Sequence, residues 1–304
     1  MIKFHAPTLT DRVWITDRVH KSGESASEYS FSNLLLWAPA YKQTVADWNG
    51  LLLVRVGVKG GSGYFWPAGD GDVSAALDAM EADAAERGEP FQLVCLSAGQ
   101  AEELERLRPG QFDFTSHRDA WDYLYEIDKL ADLGGRKLHS KRNHCKRFED
   151  AVPGWTFSPM TVADLPQCLD LDLEWDRRSR IREGEEEAED MTLERQALLT
   201  AAMSFTELGM VGGVLRDEAG QLLAFTMGDL ISETVFDVHF EKALDDIQGC
   251  YAVINREFAR HIREKYPNVR YLNREEDMGI EGLRRAKESY YPDLMGEKHW
   301  AVKK

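Results

Sequence analysis

The sequence predicts a mixed α/β protein built from two units, and three observations carry that reading. At 304 residues the chain exceeds one ordinary domain, and two domains of about 150 residues are expected. Short β-rich runs alternate with amphipathic helical stretches in both halves. Between the halves, Gly134-Gly135 breaks the pattern, a basic helical stretch follows, and Pro153-Gly154 closes it. The expected organisation is a first domain at 1–135, a connector helix at 136–150 and a second domain at 151–304.

In the first half, residues 10–20 have helical character, and Ser22-Gly23-Glu24-Ser25 ends them. A dense aromatic stretch, 28–37, runs to Pro39, and Trp48-Asn49-Gly50 reads as a turn. Residues 51–58 form a strand, and Gly60-Gly61-Ser62-Gly63 turns it into a second strand, 64–66. Val73, Leu77 and Met80 give 72–87 helical periodicity, which Gly88 stops. A buried strand at 91–96, a short helix at 100–107 ending at Pro109, and a strand at 120–127 complete this half.

The second half is more legible. A strand at 156–160 leads through Asp164-Leu165-Pro166 into a helix reaching about residue 176. An acidic loop holding Glu183, Glu185, Glu186, Glu187, Glu189 and Asp190 precedes a helix at 193–207. Strands at 212–216 and 222–229 flank the turn Asp217-Glu218-Ala219-Gly220, and another strand follows at 234–241. Tyr251, Ile254, Phe258 and Ile262 make the apolar stripe of a helix at 251–265. A strand at 269–273, a helix at 280–289 and a closing strand at 298–302 end the unit. This order of elements resembles the GNAT acyltransferase arrangement. The expected fold is therefore α/β (α+β), two tandem GNAT acyltransferase-like domains with mixed central sheets.

With 43% apolar and 30% charged residues, the chain has the means for packed cores under a solvated surface. Its longest apolar runs, such as residues 51–54, are too short to span a bilayer, and residues 1–10 lack a signal-peptide core. Cys95, Cys145, Cys168 and Cys250 have no metal-ligand spacing and read as plain thiols in a reducing cytoplasm. The net charge of −16 opposes a surface that grips nucleic acid as a whole, while leaving room for one local basic site.

Residues 28–34 with Trp37, Asp122-Tyr123-Leu124-Tyr125, residues 137–143 and the long stretch 271–292 carry a resemblance. They look like soluble proteins similar to the C-terminal domain of phosphatidylglycerol lysyltransferases. That resemblance implies two GNAT-like domains related to Fem-type peptidyltransferases, an aminoacyl-tRNA donor and a lipid-headgroup acceptor. The chain departs from the lysyltransferases in lacking their multi-pass membrane portion.

Residues 136–147 contain Arg136, Lys137, Lys141, Arg142, Lys146 and Arg147, with His139 and His144 and no acid. As a helix, they put Leu138, Cys145 and Phe148 on one face and cations over the rest. Such a strip suits donor phosphates; a solvated connector helix is the alternative. In the strand at 234–241, Phe236, Val238 and Phe240 point one way and Asp237, His239 and Glu241 the other. Acyl transfer needs a base for the attacking amine. Glu241 and His239 are the candidates, with Asp237 orienting His239; a solvent-exposed sheet face is the alternative.

Gln248-Gly249 stands where a GNAT enzyme has its pyrophosphate loop, although a second glycine is missing and Asp245-Asp246 precede it. It reads as a donor-binding turn or as a helix cap. Asn273, Arg274, Glu275 and Glu276 follow a strand and suit a polar acceptor or a set of locking salt bridges, and Asp277 suits a first-turn acid. The expected function is transfer of an acyl or aminoacyl group to an amine or hydroxyl, on a small molecule or lipid headgroup. The donor is aminoacyl-tRNA or a coenzyme A thioester, and no metal or other cofactor is required. The rivals are a coenzyme A-dependent N-acyltransferase and a non-catalytic GNAT-fold ligand sensor.

Overall fold

The structure, a computed structural model, describes residues 2–183 and 188–304, with side chains described outside 179–191. It separates into two compact units. The first comprises Met1–Tyr123, Glu275–Arg285 and Leu294–Lys304; the second comprises Leu124–Arg274 and Ala286–Asp293.

Helices α1 (Arg12–Ser22), α2 (Phe31–Leu36) and α3 (Ala38–Tyr41) open the chain. Gly23 ends α1 in a left-handed conformation, and the Ser30 hydroxyl accepts from the Asn33 amide to start α2. Strands β1 (Thr44–Trp48), β2 (Leu51–Val58), β3 (Gly61–Tyr64) and β4 (Ala68–Gly69) follow. Then come α4 (Val73–Glu86), capped by Asp72, β5 (Gln92–Leu96) and α5 (Ala98–Leu107), started by a Ser97–Gln100 capping box. After β6 (Phe112–Ser116) and β7 (Asp122–Glu126) stand α6 (Ile127–Asp132) and α7 (His139–Ala151).

The chain continues through β8 (Thr156–Pro159), α8 (Leu165–Glu183), α9 (Ala188–Met203), β9 (Val211–Arg216), β10 (Leu222–Leu230) and β11 (Val235–Ala243). It ends with α10 (Cys250–Lys265), β12 (Tyr271–Asn273), α11 (Glu281–Glu288), β13 (Leu294–Gly296) and β14 (His299–Lys303). Of the acidic stretch expected as a loop, Glu185, Glu186 and Glu187 lie outside the described residues, and α9 begins at Ala188 rather than near 193. In α10 the buried stripe starts at Cys250 and continues through Ile254, Phe258 and Ile262, whereas Tyr251 is 36% exposed.

Both sheets are mixed. In the first unit the order is β1-β2-β3-β5-β14-β6, with β4 on β2; β3 and β5 run parallel and the other neighbours antiparallel. Its core gathers Leu51, Leu53, Tyr64, Met80, Leu93 and Leu104. In the second unit the order is β7-β12-β11-β10-β9-β8, with only β11 and β12 parallel. β14 thus closes the first unit's sheet, and Leu124–Glu126 of β7 pair with β12 in the second. The units divide by these pairings, since each strand belongs where its backbone groups find partners, and not at one connector near 136–150.

The first unit's interior is partly polar. Asp277 has no exposed surface and accepts hydrogen bonds from Tyr123 Oη at 2.6 Å, Arg284 Nε and Nη2 at 2.9 and 2.8 Å, and the Gly279 amide at 2.9 Å. Arg118 Nη1 stands 3.4 Å away. Burial alone raises the Asp277 carboxyl, but these donors outweigh it and hold the group down at about 2. The residue expected as a first-turn acid is therefore a buried hub, which no local spacing could reveal.

Candidate active site

β11 runs between β10 and β12 at the middle of the second unit's sheet. A bulge at His239 breaks the alternation expected of this strand: Asp237 and His239 share the face of Asp229, whereas Glu241, paired with Thr226, turns to the opposite face, the one that Phe236 presents to α10. Asp237 has no exposed surface, the His239 side chain is 1% exposed and the Glu241 side chain 10%. None of the three therefore stands on a solvent-facing sheet surface.

The carboxylate in contact with His239 comes from β10. Asp229 Oδ1 lies 2.8 Å from His239 Nε2, whereas Asp237 Oδ2 stands 3.6 Å from Nδ1. The contact depends on a bulge in β11: Met227 pairs with Phe240 and Gly228 with Val238, which leaves His239 as the extra residue. A Cβ built on Gly228 would sit 1.8 Å from the Asp237 carbonyl oxygen, so only glycine lets the strands meet there. Sequence alternation picked out the polar residues of β11, but a bulge has no period, so the turn of Glu241 to the other face and the reach of Asp229 stayed hidden.

Glu241 is tied to two neighbours. Its Oε1 accepts from Arg274 Nη2 at 2.8 Å and its Oε2 from Asn255 Nδ2 at 3.3 Å. Arg274 follows β12 directly, and its guanidinium carbon lies 5.2 Å from the Tyr290 ring centre and 5.8 Å from that of Tyr125. Lys141, from α7, puts its ammonium 3.9 Å from the same Tyr290 ring. Burial, followed by the nearby Arg274 charge, lowers the Lys141 ammonium to about 8. Three residues named from separate motifs, Lys141, Glu241 and Arg274, thus share one place.

The remaining expected residues divide. Cys145 and Phe148 form the buried face of α7 and Leu138 is buried just before it, as its periodicity required. Arg142 Nη1 donates to the Leu133 and Gly135 carbonyls, so it supports the turn before α7. Lys137 lies 5.4 Å from the Tyr291 ring centre, and Lys146 and Arg147 are exposed. Gly249 precedes α10 with φ +91°, and a Cβ there would meet the His144 carbonyl oxygen at 2.1 Å. The glycine is needed for that close approach of α7. Asp245 and Asp246, just before it, pair with Arg178 at 3.4 and 3.2 Å. Asn273 is buried within β12.

Glu275 and Glu276 belong to the first unit. Asn33 Nδ2 donates to Glu275 Oε1 at 2.9 Å. Near Glu276, the buried Lys298 ammonium contacts Glu28, and it donates to Asp122 Oδ1 at 2.7 Å; Asp122 also accepts from the Ser27 amide and hydroxyl. Burial raises the Glu28 and Glu276 carboxyls, with the Lys298 charge pulling against it. Sequence reading missed Lys298 and Asp122, which lie 176 residues apart. Their only signal was Asp122 directly before the buried run Tyr123-Leu124-Tyr125.

The family model described as phosphatidylglycerol lysyltransferase, C-terminal, matches residues 20–302. A conserved protein of unknown function from Bacteroides thetaiotaomicron is 38% identical, with a TM-score of 0.93 and 100% of both chains covered. L-PGS from Bacillus licheniformis shares the fold at 14% identity and a TM-score of 0.65, over 95% of this chain and 90% of its own. FemX does so at 10% identity and a TM-score of 0.62, over 100% and 98%. No curated protein matches the sequence significantly. The fold is the tandem GNAT-like α/β arrangement. Among the described residues no helix is long and apolar enough to cross a membrane.

Proposed function

The chain belongs to the phosphatidylglycerol lysyltransferase C-terminal family, and on that premise we propose that it transfers an aminoacyl or acyl group to an amine or hydroxyl. The observation that carries the proposal is Glu241, a nearly buried carboxylate on β11 held by Arg274 and Asn255, and the most accessible of that strand's polar residues Asp237, His239 and Glu241. Glu241 accepts the proton as the nucleophile bonds to the donor's carbonyl carbon. The carbon–oxygen bond to the donor then breaks, and the proton passes to the leaving oxygen. His239, held by Asp229 on the opposite face of β11, is a positioning residue, because it occupies the bulge that turns Glu241.

Aminoacyl-tRNA is the favoured donor. Family membership supports it, and α7 lies against the start of α10 at Gly249, where a coenzyme A pyrophosphate would need open backbone amides. The acceptor is a small polar amine or hydroxyl, or a lipid headgroup. The test is transfer of labelled aminoacyl groups from a panel of charged tRNAs, with coenzyme A thioesters in parallel. Glu241→Gln with His239→Gln should abolish transfer while the circular dichroism spectrum stays native. A folded double variant with full activity overturns the assignment.

A further inference from the structure

We propose that Lys141 and Arg274 form an oxyanion-binding cradle in the second unit, taking a phosphate or carboxylate group of a ligand. The inference goes beyond the transfer reading, because it concerns equilibrium binding and stands whether or not a group is moved.

Two cations share one aromatic ring here. The Lys141 ammonium and the Arg274 guanidinium carbon lie 3.9 and 5.2 Å from the Tyr290 ring centre. Like charges so close repel each other, and burial removes the water that would screen them. Ring faces offset part of this but supply no full hydrogen-bond acceptor. The carboxylate in contact is Glu241, and Arg274 Nη2 uses it at 2.8 Å. Lys141 pairs with no carboxylate among the described residues. The cluster therefore carries two positive charges against one negative.

The guanidinium shows which way the deficit points. Arg274 Nη1 is buried and meets no acceptor among the described residues, while the side chain as a whole is 15% exposed. An orphaned charged donor costs more than a made hydrogen bond returns, so folded proteins rarely keep one without a use. Arginine presents a rigid fork matched to two-oxygen anions. Glu241 takes one arm, and the other is left for a ligand oxygen. A second ligand oxygen can meet the Lys141 ammonium, which makes the site neutral.

Isothermal titration of the full chain at pH 7 with inorganic phosphate and, separately, sodium acetate tests this. At least one anion should bind, and Lys141→Gln should weaken it about tenfold, the loss of one charge-assisted hydrogen bond. Glu241→Gln removes the competing negative charge and should tighten binding severalfold, a gain that a folding defect cannot imitate. Lys141→Arg should restore affinity. Phosphate binding alone identifies a phosphate-bearing ligand, acetate alone a carboxylate, and both together recognition by charge; each supports the cradle. It is overturned if neither anion binds, if Lys141→Gln leaves affinity unchanged, or if Glu241→Gln weakens it.

Discussion

Replacing Asp277 by asparagine keeps the side-chain volume and removes one charge from the first unit's interior. The carboxyl is held at about 2 against an ordinary 3.8. That depression corresponds to about 2 kcal/mol of stabilisation at neutral pH, because one pKa unit is worth about 1.4 kcal/mol. Asparagine still offers one oxygen, to the Gly279 amide and Arg284 Nη2. Its NH2 group, however, faces Arg284 Nε and the Tyr123 hydroxyl, turning acceptor sites into donor–donor contacts. Adding that mismatch, Asp277→Asn should cost about 3 kcal/mol. A folded-state carboxyl lowered in this way stabilises fully above the unfolded value near 4, and the contribution fades as pH falls toward 2. Urea unfolding followed by circular dichroism should thus show the same deficit at pH 7 and pH 5, with unchanged denaturant slope. A deficit below about 1 kcal/mol, or one that grows on acidification, would refute the reasoning.

Two further predictions concern other parts of the fold. Gly228→Ala forces a methyl group to within 1.8 Å of the Asp237 carbonyl oxygen; it should cost about 3 kcal/mol by parting β10 from β11, and an unchanged melting temperature would show that the bulge tolerates a side chain. Burial pushes the Glu24 carboxyl up to about 7, against the pull of its Gln100 hydrogen bond. The folded state therefore holds the proton more tightly, and stability should fall as pH rises from about 4.5 to 7 and level off above. Glu24→Gln should remove that slope and raise stability at pH 8 by about 2 kcal/mol, after allowance for partial exposure. Melting curves at pH 5 and 8 decide it.

What the sequence made legible followed regular period. Helical spacing put Cys145 and Phe148 on the buried face of α7, whereas the two-residue alternation of β11 holds only as far as His239, where a bulge turns Glu241 to the other face. β6 escaped notice although Phe112-Asp113-Phe114-Thr115 alternates, because the strand is short and its partner β14 lies at the far end of the sequence. Asp229 needed a bulge to reach His239, and Lys298 found Asp122 only through the paired strands of a finished sheet. The basic residues of α7 looked alike in sequence; their surroundings separate Arg142, which holds backbone carbonyls, from Lys141, which lies on a tyrosine ring. Such differences come from contacts made across the chain, which no local pattern encodes.

The position of β14 bears on how the chain is made. Its neighbours β5 and β6 end at Leu96 and Ser116, and β14 begins only at His299, 183 residues beyond Ser116. During synthesis both neighbours emerge long before the strand that joins them, and each meanwhile shows an unpaired edge. The first unit can close its sheet only after the second unit's residues have been made, so the early half waits for the late one. Contacts of such long sequence separation slow folding. Removing 299–303 should leave a half-sheet prone to association, and expressing residues 1–135 alone should reproduce that state.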